Sequence, residues 1–154
     1  SMKLIYEKDD SFEFEMSIMP EVISKEPLAS VTRDYDTEWN EIVSWVWYGM
    51  VTAEELGITS VNYMNADTSN PSVDRLLNQN LGLGTQANPL PANWMQSVIS
   101  AVGNYGEIYD RAFCDGTYDG YSGSNSMTNC LMSRSGTLNA LVSEGGLQYA
   151  PPMR

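Results

Sequence analysis

The chain contains no histidine, only two cysteines and few basic residues. Of its 154 residues, eight are Lys or Arg and twenty are Asp or Glu, which gives a formal net charge of −12. The lack of histidine excludes Ser-His-Asp and Cys-His catalytic arrangements. The excess of negative charge repels phosphate backbones and anionic lipid surfaces. We therefore expect no nucleic-acid partner.

Long apolar runs are also missing from the sequence. No run approaches the roughly twenty residues that a membrane helix needs, so we expect no membrane insertion. The chain does not open with a basic region followed by an apolar one, and this predicts no signal peptide in this chain. Its length suits a single domain over residues 1–154. Within it we expect a β-rich, hinge-like segment (1–33), a helical region (34–113), a cysteine-bounded loop (114–130), and a C-terminal helix and tail (131–154).

The start of the chain shows a strand pattern. Residues 3–6 and 12–16 flank a polar turn, and the second run alternates apolar with acidic side chains. This period of two is typical of a half-buried strand and predicts a hairpin. Residues 28–33 can form a further strand. The expected fold class is α+β, mainly helical with a small N-terminal antiparallel sheet.

The clearest helix signal follows this region. Asp36 or Thr37 can cap a helix that ends at Gly57. Apolar side chains cover most of its circumference, which leaves two alternatives. Other elements cover the helix on more than one side, or it keeps an aromatic surface for a partner or a second copy.

Further helices are predicted downstream. A second helix opens at Pro71, because proline suits the first helical position. A third helix is interrupted at Gly103 and resumes over residues 105–113. A last helix covers residues 137–144 and stops at the glycine pair that begins with Gly145.

Several collinear blocks carry a resemblance to one protein family. They include Pro-Glu-Val-Ile-Ser-Lys-Glu-Pro-Leu at residues 20–28, Ala-Glu-Glu-Leu-Gly-Ile-Thr at 53–59, Val-Gly-Asn-Tyr-Gly-Glu-Ile-Tyr at 102–109, and Gly-Gly-Leu-Gln-Tyr-Ala-Pro-Pro-Met-Arg at 145–154. In this order and spacing the chain resembles the C-terminal part of the general L-amino-acid-binding proteins of bacterial ABC transporters. These are type II periplasmic binding proteins that close two lobes around a free amino acid.

The resemblance implies a non-enzymatic portion of an amino-acid transport receptor, a partial lobe located in the periplasm. It also implies an ABC permease as the partner of the intact protein. In the family, the segments that grip the amino acid's carboxylate and ammonium groups precede these blocks, so we expect weak or no amino-acid binding here. The alternative is a free-standing truncated module that acts in self-association or protein interaction without a small ligand. In either case we expect a homodimer.

The two cysteines, Cys114 and Cys130, lie at the edges of a polar loop. A disulfide would suit such a loop, and the exporting family supplies an oxidising compartment. The alternative is two unpaired cysteines. A zinc site would need ligands beyond two thiols. Oxygen donors from Asp115 onward match the start of a calcium loop, but the twelfth place is Ser126, which favours an ordinary loop. We expect no metal and no cofactor.

No catalytic residue is predicted. The adjacent carboxylates Glu54 and Glu55 are interpreted as a solvated face, and Lys25 as a residue without chemistry. No arginine lies in a motif that assigns it a role. Five aromatic residues could wall a small pocket, although aromatic side chains at helical spacing also form cores. These pocket candidates are Trp39, Trp45, Trp94, Tyr105 and Tyr149.

Overall fold

The computed structural model describes Ser24 and residues 28–118 and 127–153. The chain divides into two compact units, Ser1–Val31 and Thr32–Arg154. In the first unit the described residues lie outside helices and strands. Every helix of the described residues lies in the second unit. The four-part division expected from the sequence stays a prediction.

The predicted α+β class is wrong. The described residues form helices and isolated bridges, and none of them belongs to a strand. Residues 28–33, predicted as a possible strand, are irregular. Leu28 and Val31 are 98% and 93% exposed, so no apolar face is buried that could hold this segment in a sheet. The hairpin predicted within residues 3–16 lies outside the described residues.

Helix α1 runs over Thr37–Glu55. The carboxylate of Asp36 accepts a hydrogen bond from the backbone N–H of Trp39 at 3.2 Å, which satisfies a donor that the first turn leaves unpaired. Beyond the end of the helix, Gly57 has a φ of 67°, a left-handed conformation that suits glycine. The predicted start and stop of this helix are confirmed.

Three shorter helices follow: α2 at Pro71–Asn78, α3 at Trp94–Val102 and α4 at Tyr105–Phe113. Gly103, with a φ of 80°, separates α3 from α4. The side chain of Asn104 accepts from the backbone N–H of Glu107, and the Glu107 carboxylate accepts from the backbone N–H of Asn104. This reciprocal capping box restarts the helix directly after the break. All three helices agree with the sequence prediction.

The core lies where α1 packs against the other three helices and α2 packs against α3. Its most buried members include Val51, Ala53, Leu76, Met95 and Ile99. Two tryptophans of α1 remain partly outside this core, since Trp39 is 53% exposed and Trp47 is 38% exposed. Among the described residues, no helix is long and apolar enough to cross a membrane.

The predicted helix over residues 137–144 is wrong except for its last turn, the 3₁₀ segment Val142–Glu144. The backbone hydrogen bonds here go to the chain that follows. The carbonyl of Ala140 accepts from the N–H of Gln148 at 3.1 Å, and the N–H of Val142 donates to the carbonyl of Gln148 at 3.0 Å. These pairings use groups that a helix would need for its own ladder.

Candidate functional site

The predicted aromatic pocket residues are spread over the second unit. Trp39 and Tyr149 are more than half exposed, while Trp94 is buried and donates its indole N–H to a backbone carbonyl. Trp45 packs edge-on against Tyr48, with ring centres 5.6 Å apart. Among the described ring contacts, none joins two of the five candidates. Their role in ligand binding stays a prediction.

The fifth candidate, Tyr105, belongs to a buried cluster around an ion pair. The side chains of Glu54 and Arg134 are both 0% exposed. Arg134 Nη1 donates to Glu54 Oε2 at 2.9 Å, and Nη2 donates to Oε1. The guanidinium carbon lies 5.0 Å from the centre of the Tyr105 ring, within cation–π range. We call this bidentate contact the Glu54/Arg134 ion pair.

Other polar groups complete the surroundings of the pair. The hydroxyl of Tyr118 lies 3.5 Å from Glu54 Oε1, and a carboxylate oxygen of Glu144 lies 3.7 Å from Arg134 Nη2. Gly106 on α4 permits this approach, because an added Cβ would lie 2.6 Å from the Tyr118 ring and 2.8 Å from Glu54 Oε1. The cluster therefore joins α1, α4 and the segments that follow α4.

The electrostatics of the cluster favour fixed charge states. Burial lowers the pKa of Arg134, but hydrogen bonding and the charges of Glu54 and Glu144 outweigh that effect and raise it overall. Burial raises the pKa of Tyr105 to about 12. It also raises the pKa of Tyr118, with a further contribution from the charge of Glu54. At neutral pH the guanidinium stays charged and the phenols stay protonated.

The interpretation of Glu54 as part of a solvated face is wrong, since its side chain is fully buried. The one local signal lies on α1, where Glu54 follows the buried residues Met50 and Val51 by four and three positions. Its partner Arg134 is 80 positions away. No motif or spacing in the sequence connects the two.

Two shallow clefts flank Glu55, the neighbouring carboxylate. One has a volume of about 430 Å³ and borders Leu141 and Glu144. The other, of about 310 Å³, brings Glu55 together with Arg75 and Tyr149. Partial burial raises the pKa of Glu55, and the charge of Glu54 raises it further. The second cleft thus offers opposite charges at the surface.

Cys114 and Cys130 form a disulfide with an S–S distance of 2.07 Å, as predicted. Next to it, the backbone N–H of Leu131 donates to the carbonyl of Phe113 at 2.8 Å. The disulfide therefore connects the end of α4 to the segment that leads to Arg134.

Asp115, the first position of the calcium-like loop, is engaged by its own chain. Its carboxylate accepts from the N–H of Thr117 at 3.2 Å, from the hydroxyl of Thr128 at 2.9 Å and from the amide of Asn129 at 2.6 Å. These bonds lower the pKa of Asp115. Residues 119–126 of that loop lie outside the described residues. Within the described part, no group of three or more His, Cys, Asp or Glu side chains could hold a metal ion.

The chain is similar to several curated binding proteins. It is 40% identical over 140 residues, 89% of this chain, to the general L-amino acid-binding periplasmic protein AapJ of Rhizobium johnstonii. It is 39% identical over 139 residues to the glutamate/glutamine/aspartate/asparagine-binding protein BztA of Rhodobacter capsulatus. It is also 39% identical over 142 residues to the putative amino-acid ABC transporter-binding protein YhdW of Escherichia coli. The chain spans 37% of the length of the first two and 38% of the third. No protein-family model matches it.

A solved structure supports the same relationship. An ABC transporter/periplasmic binding protein from Brucella ovis with glutathione bound matches with a TM-score of 0.69 and 34% identity. The match covers 90% of this chain and 40% of that one. The relatives are named as binding proteins, and none is named as an enzyme. These comparisons confirm the resemblance that the sequence blocks carry.

Proposed function

We propose, from the homology of this chain to a C-terminal portion of the periplasmic amino-acid-binding proteins of ABC transporters, that it forms part of a lobe of such a receptor. Joined to the rest of the receptor, it takes part in amino-acid transport, and the receptor delivers its ligand to a membrane permease from the periplasm. The chain itself is not an enzyme. The observation that carries this proposal is 40% identity over 89% of the chain.

Alone, the chain binds free amino acids weakly or not at all. A zwitterion needs partners for both of its charges. The charges of the Glu54/Arg134 ion pair are fully buried and paired with each other, so the pair offers no charge to a ligand. In the surface cleft, Arg75 donates to the backbone carbonyl of Met153 at 2.8 Å, which leaves fewer of its hydrogen-bond donors for a ligand. The opposite charge of Glu55 lies in a shallow cleft exposed to solvent.

Calorimetric titration of the isolated chain tests this point. The panel contains the L-amino acids and S-methylglutathione, because the Brucella ovis neighbour holds glutathione. The methyl group blocks thiol exchange with the disulfide of this chain. We expect dissociation constants in the millimolar range or weaker. A micromolar constant for any ligand of the panel would contradict the absence of a complete site.

A chimeric receptor tests the transport role. In AapJ, the portion that matches this chain is replaced by it. We expect the chimera to bind amino acids with a dissociation constant within about tenfold of that of AapJ, a difference of about 1.4 kcal/mol. The control chimera carries Arg134→Met, which we expect to destabilise the lobe and to weaken amino-acid binding. A folded chimera that binds no amino acid would contradict the proposed role.

The alternative is a free-standing module that associates with itself. Its support is apolar surface on α1 and near the disulfide, where Trp39, Trp47, Phe113 and Leu131 are partly exposed. Burying a few hundred square ångströms of such surface gives several kcal/mol at about 25 cal/mol per Å², before the cost of association. A homodimer would therefore cover side chains that the described core leaves in water.

Light scattering after gel filtration distinguishes the two functions. The net charge of −12 opposes association, so a dimer should strengthen when salt screens that repulsion. A monomer mass at both low and high ionic strength, at tens of micromolar protein, would exclude the self-associating module. The receptor role would be unaffected by that result.

A further inference from the structure

We propose that the Cys114/Cys130 disulfide is a redox-sensitive clamp on the Glu54/Arg134 ion pair. Reduction frees the two chain segments that carry the partners of Glu54. The buried charge then loses its alignment, and the packing of α4 on α1 loosens.

The positions of the partners support this coupling. Tyr118 lies four positions after Cys114, and its hydroxyl approaches Glu54 Oε1 at 3.5 Å. Arg134 lies four positions after Cys130 and directs both of its terminal nitrogens at the Glu54 carboxylate. The disulfide joins the two segments shortly before each of them reaches Glu54. It therefore sets the separation at which both partners arrive.

The other described links between the two segments are hydrogen bonds. The Asp115 carboxylate accepts from Thr128 at 2.9 Å and from Asn129 at 2.6 Å. Thr117 contacts Thr128 through their hydroxyls at 2.9 Å, and Leu131 bonds to Phe113 at 2.8 Å. All six residues are exposed, so water competes for each of these bonds. A half-buried bond from the Tyr109 hydroxyl to a carbonyl of the second segment adds one contact. Without the disulfide, the segments keep no covalent restraint at this point.

The ion pair is sensitive to such a loss. Removing one partner of a buried pair leaves an uncompensated charge in a low-dielectric environment, which is strongly unfavourable. Arg134 Nε and Asp110 Oδ1 are already buried without a hydrogen-bond partner. The surroundings of the ion pair therefore already leave polar atoms unpaired and offer few partners that could replace a lost hydrogen bond. Water must enter between α1 and α4 to solvate Glu54.

The switching reaction is thiol–disulfide exchange with a dithiol reductant. A thiolate of the dithiol attacks the sulfur of one cysteine and forms a mixed disulfide while the other cysteine leaves as a thiolate. The second thiol of the dithiol then displaces the first cysteine. Two electrons and two protons pass to the protein, which gains two thiols, and the dithiol becomes a disulfide. Both Cys114 and Cys130 are partly exposed, so a small dithiol can approach.

A thermodynamic cycle tests the clamp. Urea unfolding is measured with and without dithiothreitol in the wild type and in the Glu54→Gln/Arg134→Met variant, whose pair is neutral. Reduction should lower the urea midpoint of the wild type by about 1 to 2 M, and that of the variant by less than half as much. Equal shifts would overturn the clamp, because they would mean that the disulfide acts on the unfolded chain alone.

A second measurement needs only the wild-type fold. The side-chain Nε–H of Arg134 is buried, and its NMR signal is assigned by comparison with Arg134→Lys. On reduction, under conditions where the helical circular dichroism is retained, its hydrogen exchange should accelerate at least about tenfold. Arg75, which binds the C-terminal tail, is the internal control and should change less. An unchanged exchange rate at Arg134 would overturn the proposal.

Discussion

Replacing Arg134 with methionine tests the ion pair that joins α1 to the segment after Cys130. Methionine keeps a long apolar side chain but removes the charge and the two donors that reach Glu54. The carboxylate would remain buried, and among the described residues the Tyr118 hydroxyl, at 3.5 Å, would still face it as a donor. Breaking a buried pair by removing one partner costs about 3 to 5 kcal/mol. Domains of this size have a free energy of unfolding of about 5 to 15 kcal/mol, so the variant should lose a large share of its stability.

Urea unfolding measures this loss under non-reducing conditions. With about 2 kcal/mol per molar urea, the midpoint of Arg134→Met should fall by about 2 M. Arg33→Met is the matched control, because Arg33 is exposed and such substitutions stay within about 0.5 kcal/mol. The double variant Glu54→Gln/Arg134→Met should recover part of the loss, since no buried charge is left. A cost below about 1 kcal/mol for Arg134→Met would refute the importance of the pair.

Four further outcomes are expected. Gly146→Ala should lower the melting temperature more than Gly49→Ala. The new Cβ at position 146 would lie 1.9 Å from the carbonyl oxygen of Ala140, whereas the new Cβ at position 49 would meet the flexible end of a side chain. Calorimetry that shows the reverse order would contradict this expectation. Glu55→Gln should stabilise the protein at pH 7 and have little effect below pH 4.5. The pKa of Glu55 is raised in the folded state, so the wild type loses stability as this carboxyl ionises. A difference in melting temperature that does not depend on pH would be evidence against this expectation. Asp115→Asn should reduce the loss of stability on acidification below pH 3.8. The pKa of Asp115 is lowered in the folded state, so its ionised carboxylate stabilises the fold above that pH. Identical acid unfolding profiles of the variant and the wild type would count against the carboxylate bonds. Protein denatured without reductant should show no free thiol, and full labelling of both cysteines would contradict the disulfide.

Local signals predicted most of the helical structure. Helix α1 begins at a side-chain cap and ends near a glycine, and α2 begins with proline after the Asn70 cap. The break between α3 and α4 falls at Gly103, whose positive φ few other residues adopt at low cost. Each of these signals concerns groups within a few positions of one another, so the sequence alone contains the relevant chemistry.

Two mistaken predictions depend on partners that lie outside the local pattern. Residues 28–33 have strand-forming side chains, but a strand also needs a second segment for its hydrogen bonds and a core for one face. Residues 137–144 have the spacing of a helix, yet the tail at Gln148 takes part of their hydrogen bonding. A local pattern cannot show whether backbone groups bond within a helix or to a distant segment, because the distant segment is not part of the pattern.

Glu54 and Glu55 are adjacent on α1 but differ in burial, and helix geometry explains the difference. Neighbours on a helix differ by about 100° in direction, so two adjacent carboxylates point towards different surroundings. Glu54 follows both Met50 and Val51 at helical spacing and lies within the buried stripe, whereas Glu55 lies at its edge and reaches the surface clefts. A carboxylate inside an apolar stripe predicts a cationic partner, because an unpaired charge is too costly to bury. The chain has eight basic residues, so the candidates were few. Selecting Arg134 among them required the fold, since the disulfide and the turn after α4 are what bring it back to α1.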